Sequence, residues 1–345
     1  MAKAKDFGEA VELDAGGQPV TISSPDKVMF PERGLTKLDL AQYYLAVAEP
    51  LMRTVRDRPT LLQRFPNGVG GSNFFQKRIP DGAPDWLQTT IVSTPNGTTS
   101  RAIVMADVAH VLWAANLGCL GFHPWPARAA APEDTDELRI DLDPSPGVTF
   151  AMVQEAAVEV RAFLTANDIG ASFIKTTGNR GLHVYVRVEP GWDSFGTRQA
   201  AVSVARGVAA ARPDLVTDSW GKEERGARVF IDFNQNAPHK TVFGAWCVRA
   251  RPGAQVSTPF AWEELPRVRP DELTMDLVPD RVAAQGDPWA AIDDAPQSIE
   301  PLVERYRADL AAGIPDNPWP PVYPKMPDEA PRVAPSRARR PPAAG

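Results

Sequence analysis

The sequence predicts a mixed-sheet domain of the α/β or α+β kind, and three features carry that prediction. Apolar runs of strand length recur over 139–144, 182–188 and 228–234. Helical patterns fall between them, over about 149–166 and 194–212. Clusters of Gly, Pro, Asn and Asp punctuate the two kinds of run. Strands interleaved with helices of this length build a sheet that helices cover.

The elements follow in chain order. Residues 1–36 read as short strands and turns, broken by Pro19, Pro25 and Pro31. Thr36 caps a helix, with Asp39 three residues on in a capping-box relation, and Leu38, Ala41, Leu45 and Ala48 recur at helical spacing. Pro50 lacks an N–H, so it should bend or interrupt that helix. Residues 64–68 form a turn, and 89–125 hold short strands around a helix at about 106–117. Thr149 caps the next helix, with Val153, Ala157, Val160 and Leu164 on one face. A strand–turn–strand unit spans 172–188, in which Leu182, Val184, Val186 and Val188 face the core while His183, Tyr185 and Arg187 face the other way. In 228–234, Val229, Ile231 and Phe233 share a face and Asp232 takes the other. The run 241–250 is expected to add a last strand. From Ile314 prolines crowd the chain, so 314–345 is expected to be an extended or disordered tail. Its basic end at 337–342 is either a linker remnant or an arm for nucleic acid.

Composition sets bounds. With 345 residues, 43% hydrophobic and 23% charged, the chain has enough core for one large domain or two smaller ones. No run of eighteen apolar residues occurs and the first residues carry no apolar leader, so a cytoplasmic protein without membrane contact is expected. Two cysteines and four histidines, without zinc-site spacing, exclude a disulfide framework and argue against a zinc centre. A net charge of −6 counts against a broad basic surface, though not against a local basic groove.

The chemistry concentrates at Asp141 and Asp143. Alternate residues of a strand share a face, so these carboxylates project together, roughly 6–7 Å apart at the backbone. Pro144 ends the strand and leaves them at its mouth. Such a pair also occurs in solvated turns and helix caps. Asp232 decides between the readings: a third acid inside an apolar run is costly unless paired or metal-bound. Three such acids fit a pair of divalent ions about 3.5–4 Å apart, the arrangement used for phosphoryl or nucleotidyl transfer. The turn 176–181 offers Thr177, Gly178, backbone N–H groups and Arg180, a composition that suits either a plain hairpin or an anion cradle. Adjacent Phe74 and Phe75 cannot both face a core from one strand, so one of them at least is available to stack.

Taken in order, these segments resemble the archaeo-eukaryotic primase superfamily, and within it the bacterial ligase D polymerase-domain family with its stand-alone primase-polymerase relatives. The resemblance rests on S-P-D-K-V-M-F-P, F-F-Q-K-R-I-P, D-L-D-P, T-T-G-N-R-G-L-H-V-Y-V and R-V-F-I-D-F-N-Q-N, and on R-A-R-P-G-A-Q-V-S-T-P, from about residue 20 to about 310. It implies a primase-polymerase core of mixed and antiparallel sheets flanked by helices. On that likeness, residues 1–313 form the catalytic domain: a DNA-binding part to about 130, a metal and nucleotide core at about 131–268, and a helical end at 269–313.

The resemblance further implies that Asp141, Asp143 and Asp232 hold two manganese or magnesium ions. Thr177, Gly178, Arg180 and His183 would bind the nucleoside triphosphate together with His123, Arg225 and Arg249. Phe74 and Phe75 would meet template DNA, with Arg64 beside them, and Lys27 and Lys37 would take the 5′-phosphate across a gap. The implied activity is primer extension in DNA repair, on gaps or broken ends and with ribonucleotides favoured, alongside a separate ligase or end-binding protein. Two departures stand out: Gln63 replaces a lysine of close relatives, and Trp246-Cys247 replaces the usual Tyr-Ser. The competing readings are a small-molecule nucleotidyltransferase or phosphohydrolase, and a catalytically silent nucleic-acid-binding module.

Overall fold

The computed structural model describes residues 7–95 and 97–320. In the first part, β1 (Val11–Asp14) pairs with β2 (Pro19–Ile22), and β3 (Val28–Phe30) with β4 (Leu35–Thr36). Helices α1 (Lys37–Ala46) and α2 (Ala48–Val55) follow, then β5 (Pro59–Arg64), β6 (Phe74–Gln76), β7 (Thr89–Ser93), β8 (Thr99–Val104), α3 (Val108–Asn116) and β9 (Cys119–Pro124). Strands β6, β5, β8 and β7 lie in that order in one antiparallel sheet, and β9 also pairs with β5.

The second part is built on β10 (Glu137–Pro144), α4 (Phe150–Ala166), β11 (Phe173–Thr176), β12 (Leu182–Arg187), α5 (Ser194–Ala211), β13 (Val216–Thr217), β14 (Val229–Ile231) and β15 (Pro259–Phe260). Its sheet runs β13-β14-β10-β12-β11-β15, antiparallel except for the β13–β14 pair. Helices α6 (Val278–Gln285) and α7 (Glu300–Ala311) close the domain.

Caps explain the helix starts. The Thr36 side chain accepts from the Asp39 N–H while Asp39 accepts from the Thr36 N–H, and Thr149 accepts from the Met152 N–H. The break expected at Pro50 falls three residues earlier, at Val47. Pro50 then sits in the first turn of α2, where a missing N–H costs nothing.

Two cores sandwich the six-stranded sheet. Leu138, Ile140, Leu142, Val184 and Val186 pack under α4 and α5. The opposite face of β10 and β12 carries Glu137, Arg139, Asp141, His183, Tyr185 and Arg187, and it too is buried. What covers it is the first core, extended by residues 243–256 and by Met275, Val278, Trp289 and Ile292. The three consecutive sub-parts expected from the sequence are therefore interleaved: the later segment folds back onto the earlier core.

Two further expectations change. Residues 241–250 are not a strand but an irregular, largely buried segment, whose one isolated β-bridge runs from Val248 to Val256. Trp246 there has φ +61°, a left-handed conformation that no strand accommodates. Residues 314–320 are not a loose tail either. Arg198 donates to the carbonyls of Asn317 and Pro318 and pairs with Asp316, and Trp319 is buried against the Arg198 guanidinium at 3.9 Å. The basic stretch 337–342 lies outside the described residues.

Candidate metal and nucleotide site

Strand β10 supplies the first two acids. Asp141 is buried in register with His183 on β12, while Asp143 is exposed at the strand mouth. Strand β14 stops at Ile231, so Asp232 lies one residue beyond the strand, where the sequence pattern had kept it inside. It opens a 3-10 turn, Phe233–Asn236, and accepts from the Asn234 N–H at 3.0 Å and from Gln235 Nε2 at 2.9 Å. Its own N–H donates to the Asp141 carbonyl, which ties the two strand ends together. The result is convergence: one oxygen from each of Asp141, Asp143 and Asp232 lies within 4.8 Å of the others.

The electrostatics ask for a cation. Burial pushes Asp141 up to about 6. Asp143 is pushed up to about 7, first by the Asp141 charge and then by burial. Asp232 also reaches about 7, through burial and then its two acidic neighbours. His183 Nε2 stands 3.1 Å from Asp141 Oδ1 out of alignment for a hydrogen bond, and that oxygen is buried without a hydrogen-bond partner. Burial and the nearby charges of Lys175 and Arg249 hold His183 well below its usual range, so it offers Asp141 no positive charge. Three oxygen donors, mutually repelling and one of them orphaned, suit a hard divalent ion of the magnesium or manganese kind.

Beside the triad lies a cavity of about 190 Å³ lined by Asp141, Asp143, Thr177, Arg180, His183 and Arg249, among others. The turn between β11 and β12 forms its wall. Thr177 Oγ1 accepts from the Gly181 N–H, and the Thr177 carbonyl accepts from Arg249 Nε at 2.7 Å. Gly178 takes φ +69°, and a Cβ there would come within 2.6 Å of Arg249 Cγ, so both backbone and space require glycine. Arg180 is exposed at the rim. Arg249 is held over the Phe243 ring at 3.8 Å, and burial lowers its guanidinium to about 10.

The other predicted residues are placed as follows. His123 on β9 stands edge-on between Phe243 and Phe75, at 5.2 and 5.4 Å. Its Nε2 is buried without a partner, and burial with the Arg249 and Lys175 charges lowers it to about 3. Arg225 is not in the cavity wall. It stacks over Phe230 at 3.6 Å, donates to the Ser219 and Trp220 carbonyls, and presents its charge to Asp232 and Asp143. Phe74 and Phe75 are both exposed, at 47% and 51%. Arg64 lies 5.2 Å over the Phe74 ring but is committed to the Leu117 carbonyl and to Gln76. Gln63, in place of the expected lysine, donates to Asn73. Lys37 is buried, and its ammonium donates to Ser23 and Asn116, with burial lowering it from its usual range. Lys27 lies half-buried near Asn67 and the Phe7 ring.

Lys175, Arg251, Asn179 and Ser257 escaped the sequence reading. Arg251 and Asn179 line the cavity. The signal for Lys175 was present: a lysine inside the strand run 172–176, spaced to face the same way as His183.

Comparison with known proteins matches this geometry to a family. The model described as LigD, primase-polymerase domain, matches residues 36–289. The chain is 33% identical over 309 residues to the multifunctional non-homologous end joining protein LigD of Mycolicibacterium smegmatis, covering 89% of this chain and 40% of that protein. It is 32% identical over 282 residues to the bifunctional non-homologous end joining protein LigD of Bacillus subtilis, covering 81% and 45%. The chain thus spans less than half the length of these relatives. The polymerase domain of Mycobacterium tuberculosis ligase D, solved in complex with DNA, superposes with a TM-score of 0.75 at 34% identity, covering 80% of this chain and 99% of that one. With its acids converged beside a basic, glycine-walled cavity, this chain belongs to the LigD primase-polymerase domain family, a family of polymerase-type nucleotidyltransferases.

Proposed function

We propose that this chain is a DNA-repair primase-polymerase that transfers a nucleotide to a primer 3′-hydroxyl under template direction. It would fill short gaps or process broken ends, favour ribonucleotides, and work in the cytoplasm with a separate ligase or end-binding protein. The observation that carries the reading is the convergence of Asp141, Asp143 and Asp232 next to the Arg249–Thr177 cavity. Asp141, Asp143 and Asp232 would hold two manganese or magnesium ions. Those ions, when bound, lower the pKa of the attacking hydroxyl and stabilise charge at the α-phosphate.

The chain's own groups do the rest. Arg249 and Arg180 face the triphosphate as fixed positive charges, and the Thr177–Gly181 turn presents backbone to it. His183 and His123, both held neutral by burial and nearby cations, can accept or donate hydrogen bonds without adding charge. Arg225 moderates the repulsion between Asp143 and Asp232 from the far side. Phe74 and Phe75 offer ring faces to an unpaired template base, with Phe75 in edge contact with His123. For the 5′-phosphate, Lys27 is the better placed lysine, since the Lys37 ammonium already has three oxygen partners.

A labelled primer–template and a gapped duplex, with and without a 5′-phosphate, test this with either nucleotide type and manganese. Template-dependent extension is expected, greater with ribonucleotides. Turnover of free nucleotide without DNA, in place of extension, would overturn the reading.

A further inference from the structure

We infer that Lys175 is a positioning residue of the nucleotide site: its buried ammonium clamps the 243–257 segment onto the sheet and so sets Phe243 and Arg249 over the cavity. The inference rests on the nucleotide-transfer reading above.

Strand register puts Asp141, His183 and Lys175 in one row across β10, β12 and β11, on the face that meets the first core. Lys175 is 0% exposed. Its Nζ donates to Ser257 Oγ at 2.6 Å, to the Phe243 carbonyl at 3.0 Å and to the Thr176 carbonyl at 3.5 Å. None of these acceptors is a carboxylate. A buried ammonium satisfied only by neutral oxygens still bears its desolvation cost, and a methionine would fill similar space without it. Packing alone therefore does not account for a lysine here.

What the charge secures is the segment that lacks regular structure. The Ser257 hydroxyl donates onward to the Thr176 carbonyl, the Ser257 N–H to the Cys247 carbonyl, and the Trp246 N–H to the Ser257 carbonyl. Phe243, held through its carbonyl, carries Arg249 on its ring, and Arg249 reaches back to the Thr177 carbonyl. Lys175 thus fastens the segment at both ends, Phe243 and Ser257, and Arg249 ties its middle to the Thr177 carbonyl at the cavity wall. Because Gly178 leaves no free space beside Arg249 Cγ, a small shift of this segment would carry Arg249 into or away from the triphosphate position. Burial, with the Arg249 charge beside it, lowers the Lys175 ammonium well below its usual range, and a bound polyanion would favour its charged form.

The test compares wild type, Lys175→Met and Ser257→Ala. Readouts are binding of a fluorescent nucleoside triphosphate with manganese but no primer, steady-state extension, gapped-DNA binding and thermal melting. For Lys175→Met, the nucleotide Kd and KM should rise about tenfold, the loss of roughly one charge-assisted hydrogen bond. Gapped-DNA binding should stay unchanged, and the melting temperature should change little, since the desolvation cost removed offsets the buried Phe243 carbonyl left without its donor. Ser257→Ala should weaken nucleotide binding in the same direction and by less, and it carries the test if the methionine variant does not fold. A lowered melting temperature with nucleotide affinity intact, in whichever variant folds, would reduce Lys175 to a purely structural residue and overturn the inference. If wild type binds nucleotide but extends no primer, the transfer reading fails while nucleotide affinity still decides the role of Lys175.

Discussion

The two ends of β10 hold carboxylates under opposite conditions. At its start, Glu137 meets Arg58 at 2.9 Å, Arg139 at 2.6 Å and Arg187 at 3.2 Å, and the adjoining Asp136 meets Arg58 at 2.7 Å and Arg128 at 2.8 Å. The guanidinium groups outweigh the cost of burial and hold both carboxyls below their usual range. At its end, on the same strand face, Asp141 and Asp143 have each other and Asp232 for company and titrate near neutrality. Four residues of spacing, Glu137 to Asp141, separate a finished ion network from an unfinished one. The network is structure, complete in the chain itself. The triad repels itself, a charge distribution that suits a ligand of positive charge.

Substitutions at the two ends should therefore fail in opposite ways. Asp141→Asn is expected to reduce primer extension by roughly a thousandfold or more, the range for loss of a group that acts as part of a catalytic unit. Melting of the metal-free protein should hold or rise, because a repelling charge is gone. Glu137→Gln is expected to do the reverse. Denaturant unfolding should show a loss of roughly 3–5 kcal/mol, since buried arginines lose their common partner. Extension per folded molecule should stay near wild type. A triad variant that melts early, or a network variant that is stable and inactive, would break the contrast.

A smaller effect sharpens it at the DNA side. Phe74→Ala should weaken binding of gapped DNA by about 1–3 kcal/mol per stacked base, with nucleotide binding unchanged. Equal losses in both would count against an aromatic platform.

The smallest and most direct comparison is pH. For carboxyls held low, such as Asp136 and Glu137, stability is present above the unfolded carboxylate range and is lost as pH falls through their folded values. For the triad, raised to about 6–7, the contribution is present at low pH and is lost as pH rises through that range. Metal-free melts should therefore lose stability on the way from pH 5 to 8 relative to Asp141→Asn, and added manganese should stabilise the wild type more at pH 8 than at pH 5. A manganese shift that is flat with pH would show that the triad is already ionised without metal.

Local signals made much of the fold legible. Thr36, Thr149 and the apolar faces behind them located their helices, because a cap and a periodicity are properties of a few adjacent residues. The alternation in 139–143 and 182–188 gave strand faces and the first two acids for the same reason. What failed was what depends on distant partners. Alternation in 182–188 turns His183, Tyr185 and Arg187 away from one core, but nothing local announces that residues 243–256 return to cover that face. The run 241–250 has strand composition but closes a cavity in an irregular path fixed by Lys175 and Tyr43, the latter donating to the Trp246 carbonyl. Likewise the prolines after Ile314 resembled a tail because their anchor, Arg198, lies more than a hundred residues back.

That strap reaches further than its own packing. Asn234, whose N–H holds Asp232, donates its side-chain amide to the Pro318 carbonyl and accepts from Arg198 Nε. A protein trimmed at Gly313 would keep every strand and helix of the described residues, yet the turn bearing the third acid would lose its outer brace. Weaker manganese binding, ahead of any fall in helix content, is the expected signature of drawing the domain boundary ahead of residues 314–320.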